Sequence, residues 1–357
     1  MSMSRRRFIK QAVAFFTLLT GGGFAAFQAL KPDVVVKADS QSEGEAAKKE
    51  AVQGDPAKEL SKEPLLSFFL LSDLHISVGE SSMTDKLHLA LKDITDFEFK
   101  VDTIVLGGDL TDFGRESDYR LLRRTMDQYS LPPVYGNMGN HDYYDVWLDK
   151  NGGFSTETAP NGKTDAMSRQ RFMSFIGYDD VPYRDEWIQG VHLIMLSQEC
   201  YVEERPEVGE SAWYSDEQLA WFESVMKPHK DGRPGIVFIH QPLPDPGMDG
   251  GTHRLIRAKR FRQIVDPYSN VFVLSGHTHR NFRSEDHYNR QNTFHWFTNA
   301  SVGRTRSIMP GDNTLVAQGM YVQVYPHQVV VRGREFADRS WIDSADWTIP
   351  LKKTPQA

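Results

Sequence analysis

Between residues 65 and 280 the chain alternates two patterns of apolar positions. One consists of short, nearly continuous apolar runs: Leu65–Leu71, Val101–Leu106, Val134–Met138, His192–Ser197, Gly235–Ile239 and Val271–Leu274. Runs of this length without polar alternation suit strands covered on both faces. In the other pattern, apolar residues recur every three or four positions. Leu87, Leu91, Ile94 and Phe97 do so, as do Tyr119, Leu122 and Met126. Ser215 and Gln218 have the spacing of a capping box and predict a helix running through Met226. Strands alternating with helices predict an α/β fold. Further on, Met320–Tyr325 and Val329–Val331 flank Pro326-His327-Gln328 and predict a hairpin.

Five of the six apolar runs end in residue types that bind metals. The first is followed by Ser72-Asp73-Leu74-His75 and the second by Gly107-Gly108-Asp109. The third leads into Gly139-Asn140-His141-Asp142, the fifth into His240, and the sixth into Ser275-Gly276-His277-Thr278-His279. Ligands of open α/β sheets bind beyond the carboxyl ends of the strands, so these residues are expected to converge. Cys200 is the only cysteine, which excludes an internal disulfide and a cysteine zinc cluster. Oxygen and nitrogen donors of this kind suit Mn, Fe or Zn. An Asp-x-His or a Gly-Asp pair alone is common. Their order, each at a strand end, carries the signal.

That succession resembles the calcineurin-like metallophosphoesterase family, whose pattern is D-x-H, G-D, G-N-H-[D/E], a lone His and G-H-x-H. The resemblance runs from Ser72 to His279 with no ligand position missing. It implies an α/β/β/α sandwich of mixed sheets flanked by helices, and a pair of divalent metal ions. Asp73, His75 and His279 are then expected on one ion, Asn140, His240 and His277 on the other, with Asp109 bridging. The implied reaction is hydrolysis of phosphate monoesters or diesters by metal-activated hydroxide. His141 is expected to face the substrate as a catalytic residue, and Asp142 to orient it. Gly108-Asp109-Leu110-Thr111-Asp112-Phe113-Gly114, with Tyr119, is locally similar to class III cyclic-nucleotide phosphodiesterases.

Gly108, Gly139 and Gly276 are expected to let the backbone turn sharply at the site. His253, after Gly250-Gly251-Thr252, lies on a loop that can reach it. His88, His192, His229, His287, His295 and His327 lack motif context and are expected on the surface or in the core. Tyr143, Tyr144 and Trp147 have two readings, as substrate contacts or as packing for an extra helix.

At 39% hydrophobic and 25% charged, the 357-residue chain has the composition of a soluble globular protein. Its formal charge of −7 argues against a nucleic-acid partner and so against a nuclease. Retention of His141 and Asp109 argues against a non-catalytic metal-binding protein of the cell envelope. Ser4-Arg5-Arg6-Arg7-Phe8-Ile9-Lys10, followed by an apolar run from Ala12 to Leu30, has the form of an export signal. It resembles the twin-arginine pattern S-R-R-x-F-[L/I]-K. Residues 1–38 are therefore expected to be a twin-arginine signal peptide or anchor, and 39–64 a flexible polar linker. Residues 65–336 form the expected catalytic domain, with 143–190 as a lid or insertion, and 337–357 a tail. The expected partners are the twin-arginine machinery and a phosphorylated small-molecule or envelope substrate outside the cytoplasm. The membrane is met only through the N-terminal segment.

Overall fold

All six apolar runs form strands in the computed structural model, which describes residues 63–352 apart from 285, 310 and 313. The expected export signal and the linker through residue 62 lie outside the described residues. The strands are β1 (Leu66–Leu71), β2 (Thr103–Gly107), β3 (Val134–Asn137), β4 (Arg184–Ile188), β5 (Val191–Met195), β6 (Gly235–Phe238), β7 (Val271–Ser275), β8 (Tyr288–Arg290), β9 (His295–Thr298), β10 (Gln318–Val324), β11 (Gln328–Glu335) and β12 (Ser340–Pro350). The helices are α1 (Ser81–Thr95), α2 (Glu116–Met126), α3 (Asp165–Ile176), α4 (Asp216–Met226) and α5 (Ala258–Val265).

The strands make two mixed sheets, ordered β12-β11-β10-β1-β2-β3 and β4-β5-β6-β7-β9-β8. Each has a parallel centre, β1-β2-β3 in one and β5-β6-β7-β9 in the other, with antiparallel strands added at the edges. The sheets pack face to face. Leu66, Phe68 and Leu70 of β1 and Val322 of β10 share one core with Leu193 of β5, Phe238 of β6 and Phe272 of β7. Phe68 and Phe238 meet edge to face across it, with centroids 5.6 Å apart. The intervening residues of the second sheet, Ile194, Val237 and Val273, pack against Leu219 and Phe222 of α4 and Phe261 of α5. Behind the first sheet, Arg334 of β11 holds the buried Asp93 of α1 through two hydrogen bonds of 2.7 and 2.9 Å. Helices thus cover the outer faces, giving the α/β/β/α order. Because both faces of the central strands are covered, their sequences show continuous apolar runs instead of alternation.

The end of the chain differs from expectation. The expected tail at 337–357 contains β12, which pairs antiparallel with β11 and buries Ile342, Ala345 and Ile349 in the sandwich core. As an edge strand with one face exposed, it carries too many polar residues to read as a core strand. β4 and β8, also edge strands, carry no apolar run for the same reason. The start of α4 is only half a capping box. Ser215 Oγ accepts from the Gln218 backbone N–H at 3.0 Å. The Gln218 side chain turns instead to Ser197, and Glu199 accepts from the Ser215 N–H. The segment 143–190 holds a 3-10 helix at His141–Trp147, then α3 and β4. Among the described residues, no helix is long and apolar enough to cross a membrane.

Candidate metal centre

Asp73, His75, Asp109, Asn140, His240, His277 and His279 each stand within four residues of the carboxyl end of a parallel strand. The first sheet contributes Asp73, His75, Asp109 and Asn140; the second contributes the rest. Hydrogen bonds join the sheets at this end. Ser301 Oγ donates to the Asp73 carbonyl at 2.8 Å, and Asn137 Nδ2 to the Leu196 carbonyl at 2.9 Å.

The backbone here is strained. Asp73, His75, Asp109, His277 and His279 all adopt positive φ, between 51° and 69°. Left-handed conformations of non-glycine residues cost roughly 1–3 kcal/mol each and persist only where the surroundings hold them. The holding bonds include Asp73 N–H to Gly108 O and His75 N–H to Asp109 O, both 3.0 Å. Gly108, with φ +81°, turns as expected. Gly139 and Gly276 serve close approach instead of a turn: a Cβ at Gly139 would lie 2.2 Å from Asp109 Oδ1, and one at Gly276 would lie 2.7 Å from Asp73 Oδ2.

The donor atoms fall into two groups that share Asp109. Asp73, His75, Asp109 and His279 have ligand atoms within 4.8 Å of one another, and so do Asp109, His240 and His277. Asn140 Oδ1 lies 3.1 Å from His277 Nδ1, which joins it to the second group. The residues fit a pair of cations. His75 Nε2 and His279 Nε2 face each other at 3.0 Å. His279 Nε2 is also 3.1 Å from Asp73 Oδ1. The other nitrogen of His240 takes the Gly107 carbonyl at 2.8 Å, so its Nε2 is buried without a hydrogen-bond partner, 3.1 Å from Asp109 Oδ2. Burial opposes a charge on His240, yet Asp109 and Asp73 draw it up to about 9. Carboxylates so placed favour positive charge, which a divalent ion would supply. His75, by contrast, is pushed down to about 3, by burial first and then by His141, which leaves a neutral imidazole able to bind metal.

His141 sits beside the first group, its ring edge-on to His75 at 4.4 Å. Its backbone N–H donates to Asp109 Oδ1 at 2.9 Å. The expected orienting role of Asp142 is not what the geometry gives. Asp142 is fully buried and accepts from Leu110 N, Thr111 N, Gly139 N, Thr111 Oγ1 and Tyr119 OH, between 3.0 and 3.3 Å. It ties the loops after β2 and β3 together and makes no hydrogen bond to the His141 ring. Asp112 takes that place. Its Oδ1 is 3.1 Å from His141 Nδ1 and 3.3 Å from His75 Nδ1, while Arg304 binds its Oδ2 at 2.8 Å. Burial would raise the Asp112 carboxyl, but the hydrogen bonds to His141 and His75 hold it well below the usual range. A carboxylate on the far nitrogen of a ligand imidazole fixes its tautomer and orientation.

Asp112 was visible in the Gly108–Gly114 stretch, three positions after Asp109. Arg304, on the loop after β9, had no sequence signal. His253 does reach the site: its Nδ1 lies 3.2 Å from His277 Nε2. Tyr143 and Trp147 are buried and donate to the Gln198 carbonyl and to Tyr201 OH, so they pack the segment. Tyr144 is also buried, but stacks on His141 with centroids 3.9 Å apart. His192, His229, His287 and His295 are buried away from the motifs.

Residues 66–281 match the family described as calcineurin-like phosphoesterase, and the chain belongs to that family. A stretch of 73 residues, 20% of the chain, is 40% identical to the uncharacterized protein YvnB of Bacillus subtilis (strain 168), of which it spans only 5%. Over 219 residues, 59% of the chain and 70% of the relative, it is 23% identical to a probable glycerophosphodiester phosphodiesterase, GpdQ, of Arcobacter nitrofigilis. Two solved structures share the fold. A dimetal phosphatase from Danio rerio has a TM-score of 0.58 at 14% identity, covering 81% of this chain and all (100%) of that one. Purple acid phosphatase PPD1 from yellow lupin seeds has a TM-score of 0.52 at 11% identity, covering 80% of this chain and 53% of that one.

Proposed function

We propose that this chain is an exported dinuclear-metal phosphoesterase acting on phosphodiesters. The observation that carries the reading is the pair of donor groups sharing Asp109, with His141 at their edge. Asp73, His75, Asp109 and His279 hold one ion. Asp109, Asn140, His240 and His277 hold the other, as Mn, Fe or Zn. Bound there, the ions supply an activated water nucleophile and neutralise charge for in-line displacement at phosphorus.

The protein groups do the rest. Asp109 presents Oδ2 to the second group and anchors Oδ1 on the His141 N–H. His141 offers Nδ1 to Asp112, which leaves Nε2 for the substrate. Burial alone would lower His141, but Asp109 and Asp112 outweigh it and raise it above the ordinary histidine value. A more readily protonated imidazole suits a donor to the leaving oxygen. The preference for diesters rests on the likeness to the probable glycerophosphodiester phosphodiesterase. The substrate is a phosphorylated small molecule or envelope component outside the cytoplasm.

The test is hydrolysis of bis(4-nitrophenyl) phosphate, 4-nitrophenyl phosphate and a glycerophosphodiester, with and without Mn²⁺. Mn²⁺-dependent turnover, faster on the diesters, is expected. Asp109→Ala should lose turnover and both metal equivalents together, because one carboxylate serves both ions. Two bound equivalents without hydrolysis of any ester would leave a metal-binding envelope protein. A monoester preference would reverse the assignment of ester type.

A further inference from the structure

Asn140 is an amide among charged and imidazole ligands, and an amide has two ends of similar shape. Only Oδ1 can bind a cation; Nδ2 cannot. Something must hold the amide the right way round: Gln241 Nε2 donates to Oδ1 at 3.2 Å, and Glu210 grips the Nδ2 end more closely. Glu210 comes from the loop between β5 and α4, far from every motif. Its Oε2 accepts from Asn140 Nδ2 at 2.6 Å and from Tyr144 OH, and its Oε1 accepts from Tyr201 OH at 2.7 Å. The loop itself is tied down. Ala212 N–H donates to the Arg254 carbonyl at 3.2 Å, and Ile256 N–H to the Ala212 carbonyl at 3.0 Å.

We infer that Glu210 is a positioning residue of the second metal site, and that through Tyr144 it also sets the plane of His141. The inference rests on the dinuclear reading. A carboxylate only accepts, so it tolerates Nδ2 and repels Oδ1; a flipped amide would set oxygen against oxygen. Its charge also draws the Nδ2 hydrogens and pushes electron density onto Oδ1, which makes the neutral amide a stronger ligand. The negative charge stays one residue away from the ion and the anionic substrate. Tyr144 and Tyr201 are buried phenols, and both hydroxyls donate to this carboxylate. Tyr144 lies flat against His141, with an interplanar angle of 27°, and beside Tyr201, with centroids 5.6 Å apart. One carboxylate therefore joins a ligand of the second ion to the ring under His141.

The experiment is equilibrium dialysis of the full chain against Mn²⁺ alone, with metal counted by mass spectrometry. For Glu210→Gln the second equivalent should bind roughly 10–100-fold more weakly, the usual effect of removing such a partner, while the first keeps its affinity. Turnover should then need correspondingly more Mn²⁺. Glu210→Asp keeps the charge but shortens the reach, and should fall between wild type and Glu210→Gln. It also carries the test if the Gln variant does not fold. Tyr201→Phe removes a partner of Oε1 but not the Asn140 contact, and should leave the second equivalent nearly unchanged. Wild-type affinity for both equivalents in the Glu210 variants would overturn the inference alone, and so would equal weakening of both. Fewer than two equivalents on the wild-type chain would instead sink the dinuclear reading on which it rests.

Discussion

Asp112 and Asp142 show how position in space, not motif membership, assigns a role. Both lie near His141, but Asp112 touches its ring and Asp142 gathers donors from two loops. Their variants should therefore fail differently. Asp112→Asn should keep the fold and the second ion, weaken the first ion through His75, and lower turnover besides, as a weaker form of His141→Ala, whose loss is expected at ~10²–10⁴-fold. That loss should shrink for substrates with good leaving groups, which need less protonation. Steady-state rates across a leaving-group series, with metal content measured in parallel, check this. Asp142→Ala should instead lower the melting temperature, because it strands five donors. A loss of about 3 kcal/mol or more is expected, at roughly 1–3 kcal/mol for each buried group left unpaired. Normal stability of Asp142→Ala in chemical denaturation would refute its structural role.

The elements divide into those that carry the candidate ligands and those that close the sandwich. The parallel strands β1, β2, β3, β6 and β7 do the first, and their continuous apolar runs made them easy to recognise. β10, β11 and β12 do the second. β12 buries Ile342 at 3% exposure, at the far edge of the sheet from β3. Ile342→Ala should therefore cost about 2–4 kcal/mol through lost burial and a cavity, with turnover per folded molecule unchanged. Urea denaturation beside a rate measurement tests this. An unaltered midpoint would mean that the edge strand contributes nothing to the core.

At the scale of the whole molecule, the N-terminal segment bears on where the catalytic domain works. Residues 1–38 are proposed to route it outside the cytoplasm, on the match at Ser4–Lys10 to the twin-arginine pattern. Paired arginines of this kind are a receptor-read address and not an anchor. Replacing Arg5, Arg6 and Arg7 together by Lys removes the shifted pair Arg6-Arg7 as well. The variant should accumulate inside the cell as folded, active, metal-loaded enzyme. Fractionation with an activity assay on each fraction is the measurement. Normal export would make the segment an ordinary secretory signal or a membrane anchor.

The primary structure by itself determined the class of fold and marked the residues that converge at the candidate metal centre. Strands covered on both faces must be apolar throughout, and ligands at their ends must be Asp, His or Asn; both constraints are local and leave a mark in the chain. It did not determine which carboxylate orients His141, that Ser340–Pro350 forms a strand, or that Glu210 holds Asn140. Those depend on side chains from distant segments meeting at hydrogen-bonding distance. Glu210 is 70 residues from Asn140, and Arg304 is 192 residues from Asp112. Such contacts place no demand on neighbouring residues, so only the packing of the two sheets decides them.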